Sequence, residues 1–143
     1  MTARTKTKGH WSAHFIGLPY ADLGRTHEGV DCWGLVRLAL SAHDIHVPSY
    51  AGGYASTEER AEIAGLISGA KPQWQKVDAG RELDVVTFRR GRLESHIGLV
   101  VRPGVMLHVT EGQPSCLVSY LDCQWERRLT GFWRHQDLAG GVS

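Results

Sequence analysis

His27-Glu28-Gly29-Val30-Asp31-Cys32-Trp33-Gly34-Leu35-Val36-Arg37 is a polar, glycine-bearing turn that runs straight into an apolar-periodic segment. Leu35, Val36, Ala39 and Leu40 recur at helical spacing, and the pattern predicts a helix over residues 31–43. Asp31 is suited to the N-cap, where its carboxylate accepts an orphan backbone N–H of the first turn. Cys32 then stands at the helix N-terminus, where exposed N–H groups and the helix dipole favour the thiolate over the thiol. An ionised cysteine is a strong nucleophile, so the position suits covalent catalysis. Most free cysteines are small buried hydrophobes, and this stretch alone leaves that alternative open.

Upstream of it, residues 11–20 mix aromatic and polar side chains and read as a short helix entering a Leu18-Pro19-Tyr20 turn. Residues 22–29 read as a polar loop. Downstream, residues 57–68 read as a second helix, with Thr57 as cap and Ile63, Leu66 and Ile67 as its apolar stripe. Residues 71–80 read as connecting chain. The character then changes. Residues 83–88, 97–101, 105–109, 117–120 and 129–134 are short apolar or β-branched runs bounded by turn residues. Helices first and about five strands after them predict an α+β fold, with helices against an antiparallel sheet.

Two of these strands carry histidines. Ser95-His96-Ile97-Gly98-Leu99-Val100-Val101 and Val105-Met106-Leu107-His108-Val109-Thr110 are joined by Arg102-Pro103-Gly104. Side chains alternate faces along a strand, so the loop length decides which histidines meet. A loop of Pro103 and Gly104 alone would put His96 and His108 on opposite faces. A loop that includes Arg102, with Gly104 left-handed, pairs Val101 with Val105. His108 then sits opposite Gly98 and diagonal to His96 on one face, with Gly98 leaving room for the imidazole.

Composition narrows the class. The chain has 143 residues, 42% hydrophobic and 22% charged, with a net charge of +1. This is the profile of one soluble globular domain with a proper core, and it does not suggest a nucleic-acid or anionic-membrane surface. Residues 1–9 read as a loose basic arm, residues 10–138 as the domain, and residues 139–143 as a Gly-rich tail. The arm has no apolar segment behind it, so it is a poor signal peptide, and cytoplasmic synthesis is expected. Cys32, Cys116 and Cys123 are an odd count, which fits free thiols better than a disulfide framework. His43 and His46 with the last two cysteines show no metal-ligand spacing. Trp125, Phe132 and Trp133 read as core.

The chain resembles the NlpC/P60 cysteine peptidases, in particular the short form found in bacteriophage tails and tail-like gene-transfer particles. The resemblance rests on Pro19-Tyr20, Gly29-Val30-Asp31-Cys32-Trp33-Gly34-Leu35-Val36 and Leu83-Asp84-Val85-Val86. It continues in Ser95-His96-Ile97-Gly98-Leu99-Val100, Met106-Leu107-His108 and Gly131-Phe132-Trp133-Arg134, all in family order. It implies a papain-like core with Cys32 as nucleophile, His96 as base and His108 as the polar residue orienting it. Tyr20 matches the family tyrosine near the nucleophile, where its hydroxyl and the Cys32 N–H can bind an oxyanion. No cofactor or metal is implied. The substrate would be a peptidoglycan stem peptide, cut at the γ-D-glutamyl–diamino-acid bond, and the partners would be tail-hub or tail-tip proteins.

Trp33 stands where signal-bearing cell-wall members carry a serine that helps bind the stem-peptide amine. Its ring is therefore expected to narrow or cover that subsite, and Asp31 is a candidate for the substrate ammonium as well as for the cap. Two other functions fit the same residues. One is a structural tail-hub subunit of this fold with a silent triad; the other is a related thiol chemistry, such as amidation or transacylation.

Overall fold

The computed structural model describes residues 10–47, 74–90 and 93–140. The expected helix at residues 57–68 lies outside them. The chain enters through a 3-10 turn, Trp11–Phe15, capped by His10, whose Nδ1 accepts the Ser12 N–H. The short helix expected within residues 11–20, ahead of the turn at 18–20, is thus this 3-10 turn ending at Phe15. A short hairpin follows, β1 (Arg25–Thr26) with β2 (Gly29–Val30), where residues 22–29 were expected to be loop. Helix α1 spans Cys32–Ser41.

The sheet then forms from β3 (Trp74–Val77), β4 (Val85–Arg90), β5 (Leu93–Arg102), β6 (Val105–His108), β7 (Cys116–Ser119) and β8 (Leu129–His135). Its six strands run in the order β3-β8-β4-β5-β6-β7, and the paired neighbours are antiparallel. The fold is α+β, as expected, and among the described residues its main sheet has one strand more than the five read from sequence. The extra strand is β3, at the edge of that sheet beside β8. Two short helices complete the described chain, α2 (Cys123–Glu126) and α3 (Gln136–Gly140). Helix α3 passes residue 138, where the domain was expected to end. No helix among the described residues is long and apolar enough to cross a membrane.

Strand alternation divides the core. Val85, Ile97, Leu99 and Leu107 join Val30, Trp33, Leu35, Val36, Ala39 and Leu40 in the larger cluster, which seats α1 on the sheet. Val86, Phe88, Val100 and Met106 instead pack with Tyr120 and Trp125 in a second cluster. The segments at Leu83-Asp84 and Arg134 are joined by a forked ion pair. Arg134 donates from Nε and Nη2 to the two Asp84 oxygens at 2.8 and 2.7 Å, and Asp84 is fully buried. The backbone N–H of Arg81 adds a third bond to that carboxylate at 2.8 Å.

The β5–β6 hairpin departs from expectation in one detail. Arg102 pairs with Val105 across Pro103-Gly104, so the loop is shorter than predicted, and a bulge at Val101 takes up the extra residue. Beyond the bulge Val100 faces Met106 and Leu99 faces Leu107, which is the predicted register. Gly104 has φ +94°, the left-handed conformation the turn requires. The space at Gly98 is used differently. A Cβ there would lie 2.7 Å from the Met106 sulfur, so the glycine makes room for Met106.

Candidate active site

Cys32 is the first residue of α1 and is partly exposed. The loop before it is tied to the helix by Asp31. One Asp31 oxygen accepts the Gly34 N–H at 2.8 Å and an Arg25 guanidinium N–H at 2.8 Å; the other accepts the Leu23 N–H at 3.1 Å. Arg25 also donates to the Gly24 carbonyl at 2.8 Å. A Cβ on Gly34 would collide with that same carbonyl, so the glycine two residues past Cys32 is what lets the loop lie on the first helical turn. Asp31 therefore acts as the cap. Its side chain is 7% exposed and accepts from Arg25 and the two N–H groups.

Trp33 has no exposed surface and lies in the larger core cluster with Val36 and Leu40, sharing the inward face of α1 with them.

Tyr20 is brought near Cys32 by the N-terminal segment. Ser115 anchors that segment: its N–H donates to the Leu18 carbonyl at 2.9 Å and its hydroxyl to the Phe15 carbonyl at 2.5 Å. The chain then bridges in parallel from Tyr20 to Val30, two residues before Cys32. Burial pushes the Tyr20 phenol pKa above its usual value, and the negative charges of Asp22, Asp31, Cys32 and Glu111 push it further. The hydroxyl stays protonated at neutral pH and remains a hydrogen-bond donor.

His96 and His108 are both buried and meet on one face of the β5–β6 hairpin. Nε2 of His96 lies 3.1 Å from Nδ1 of His108. The rings cross nearly edge to face, with centroids 5.3 Å apart and planes at 81°. Phe88, directly across β4–β5 from His96, lies 6.0 Å from its ring, and Trp125 of α2 contacts both imidazoles.

The described residues thus hold a cysteine at a capped helix terminus, a tyrosine whose strand bridges to the residue two before it, and a hydrogen-bonded histidine pair on an antiparallel hairpin. The family profile described as NlpC/P60 family matches residues 17–134, most of the chain. The chain belongs to the NlpC/P60 family. These proteins are cysteine peptidases and hydrolases, typically of peptidoglycan.

Solved structures share the fold of this NlpC/P60 domain. An NlpC/P60 family protein from Bacillus cereus ATCC 10987 superposes with a TM-score of 0.63 at 19% identity, over 85% of this chain and 37% of that one. A lipoprotein-like NLP/P60 protein from Staphylococcus aureus subsp. aureus Mu50 gives 0.62 at 15%, over 87% of this chain and 38% of that one. The NlpC/p60 domain of the peptidoglycan hydrolase SagA gives 0.54 at 17%, over 85% of this chain and 90% of that domain. This chain thus spans little more than a third of the first two proteins and nearly the whole of the isolated domain. A search of curated proteins finds no match.

Arg25 and Trp125 took no part in the sequence reading of the site. Arg25 lies in a polar stretch without periodicity, and its role arises only when the β1–β2 hairpin folds back on Asp31. Trp125 reads as core in the sequence; its ring also contacts the two histidines.

Proposed function

We propose that this NlpC/P60 domain is a cysteine peptidase that cuts an amide bond in peptidoglycan stem peptides, at the γ-D-glutamyl–diamino-acid link. The observation that carries the reading is the His96–His108 hydrogen bond, which leaves Nδ1 of His96 as the nitrogen pointed away from His108. In the catalytic tautomer Nε2–H of His96 donates to Nδ1 of His108, and Nδ1 of His96 is the acceptor for the Cys32 thiol proton. The helix N-terminus and the imidazolium so formed both favour the thiolate.

The Cys32 sulfur adds to the scissile carbonyl carbon, and the oxyanion is held by the Tyr20 hydroxyl and the Cys32 backbone N–H. Collapse breaks the C–N bond as the His96 imidazolium protonates the leaving amine. Water, deprotonated by His96, then hydrolyses the thioester and regenerates the thiol. Asp31 and Trp33 touch no substrate in this scheme; Asp31 fixes the loop and Trp33 fixes the helix.

The biological setting we propose is the tail tip of a phage or gene-transfer particle. The domain would be made in the cytoplasm, bound to tail-hub proteins, and used to open the wall locally. The Asp-Cys-Trp-Gly motif and the closing Gly-Phe-Trp-Arg support that subtype. Digestion of purified peptidoglycan, with mass analysis of the fragments and Cys32→Ala as blank, tests the activity. New amine and carboxyl ends at the γ-D-glutamyl link are the expected result. A folded protein that releases no fragment, free or in the assembled particle, would favour the structural hub subunit.

A further inference from the structure

We infer that Trp125 is a positioning residue for the histidine pair, an aromatic plate that keeps water from the His96–His108 hydrogen bond and holds both rings in the catalytic orientation. The inference rests on the proposed thiol-hydrolase reading for its consequence in catalysis, and on geometry alone for the clamp itself.

The indole meets the two imidazoles in different ways. It lies 5.5 Å from the His96 ring with planes at 26°, a stacked contact, and 4.9 Å from the His108 ring at 84°, an edge contact. Phe88 closes the same group at 5.0 Å from the indole, and the Arg128 guanidinium lies over the indole at 4.7 Å. Trp125 itself is 8% exposed. One side chain therefore covers both partners of the bond. That matters because the terminal torsion of a histidine is broad and nearly two-fold. Water competing for Nε2 of His96 or Nδ1 of His108 would allow either ring to turn and present the wrong nitrogen to the thiol.

The plate is fixed to the sheet rather than left on a free loop. The Trp125 N–H donates to the Asp122 carbonyl at 2.9 Å and the Arg128 N–H to the Trp125 carbonyl at 2.9 Å. The Arg89 N–H then donates to the Arg128 carbonyl at 2.8 Å, which joins the exit of α2 to β4 beside Phe88. Helix α2 is only four residues long. These three bonds and the aromatic contacts give it a set position.

The test uses the full chain, with two readouts. Proton NMR follows the His96 ring N–H, which in wild type should appear as a downfield, slowly exchanging resonance that disappears in His96→Gln. In Trp125→Ala the resonance should broaden or vanish, while circular dichroism and cooperative melting show a folded protein. On a defined stem peptide kcat should fall by about 10²-fold with KM nearly unchanged, the usual scale for a displaced catalytic group. Trp125→Phe should restore the resonance and most of kcat. If Trp125→Ala does not fold, Trp125→Leu keeps apolar bulk without the plate and is read the same way. A sharp, slowly exchanging resonance in a folded Ala or Leu variant overturns the inference, as does an unchanged kcat in an active enzyme. A wild type that cuts no peptide fails the hydrolase reading alone, because the resonance still decides whether the clamp exists.

Discussion

His96 Nε2 and His108 Nδ1 lie 3.1 Å apart, so one proton serves two nitrogens and the tautomer of each ring fixes that of the other. If His96 is the base, His108 must accept at Nδ1 and hold its own proton on Nε2. His96→Ala should then abolish turnover, and His108→Ala should lower kcat by about 10²–10⁴-fold with little change in KM. Equal rates for wild type and His108→Ala on one defined peptide would remove His108 from the mechanism.

The three thiols should separate on alkylation. Cys32 begins a helix and Cys123 is exposed, whereas burial pushes the half-buried Cys116 thiol up. Iodoacetamide at neutral pH should label Cys32 first and Cys116 last, with the exposed Cys123 between them. Mass mapping of a timed reaction gives the order. His96→Ala should bring the Cys32 rate down to that of Cys123.

The Asp84–Arg134 fork should be felt as stability, since it joins the entry to β4 to β8. Asp84 has no exposed surface. Arg134→Leu strands its carboxylate, a change that typically costs about 3–5 kcal/mol. Replacing both partners, as Asp84→Asn with Arg134→Leu, should recover part of that loss. Chemical denaturation of the two single variants and the double variant closes the cycle; additive losses would show that the pair does not couple.

Legibility followed the range of the interactions. Helix α1 could be read because its cap and its stripe lie within ten residues of each other in sequence. The His96–His108 face could be read because parity survives the Val101 bulge: shifting a residue from loop to strand leaves the sum of paired positions unchanged beyond it. Strand β3 could not. Trp74-Gln75-Lys76-Val77 puts two exposed polar residues between its apolar ends, and its pairing with residues 132–135 is long-range. Helix α2 is too short for a period to show, so Trp125 looked like any core aromatic.

Acidification should loosen the C-terminal corner through His135. Burial lowers its pKa from 6.5, with Asp137 acting weakly in the other direction. Its ring packs edge-on against Trp74 at 5.0 Å, and its Nδ1 accepts the Asp137 N–H. A lowered folded-state pKa means that the unfolded chain binds the proton more readily. The contribution is therefore full above the unfolded value of about 6.5 and is lost as pH falls from there through the folded value. Melting temperatures between pH 7.5 and 5 should fall more steeply for wild type than for His135→Gln. Parallel curves would exclude His135 as the cause.

Trp33 was expected to gate a subsite because it replaces a small serine, yet the same helical period that identifies α1 places positions 33, 36 and 40 on one stripe. The structure follows the period: Trp33 is wholly buried with Val36 and Leu40. Trp33→Ser should accordingly act as a large-to-small core substitution one residue from the nucleophile, costing about 3–5 kcal/mol. Because the cavity opens under the first turn of α1, the Cys32 N–H and sulfur should lose their set positions, and kcat should fall rather than rise. Trp33→Phe, which leaves a smaller void, should lose less of both. Denaturation midpoints and turnover of one stem peptide, measured on the two variants together, check this. A Trp33→Ser protein with wild-type stability and faster cleavage would place the indole over the substrate groove after all.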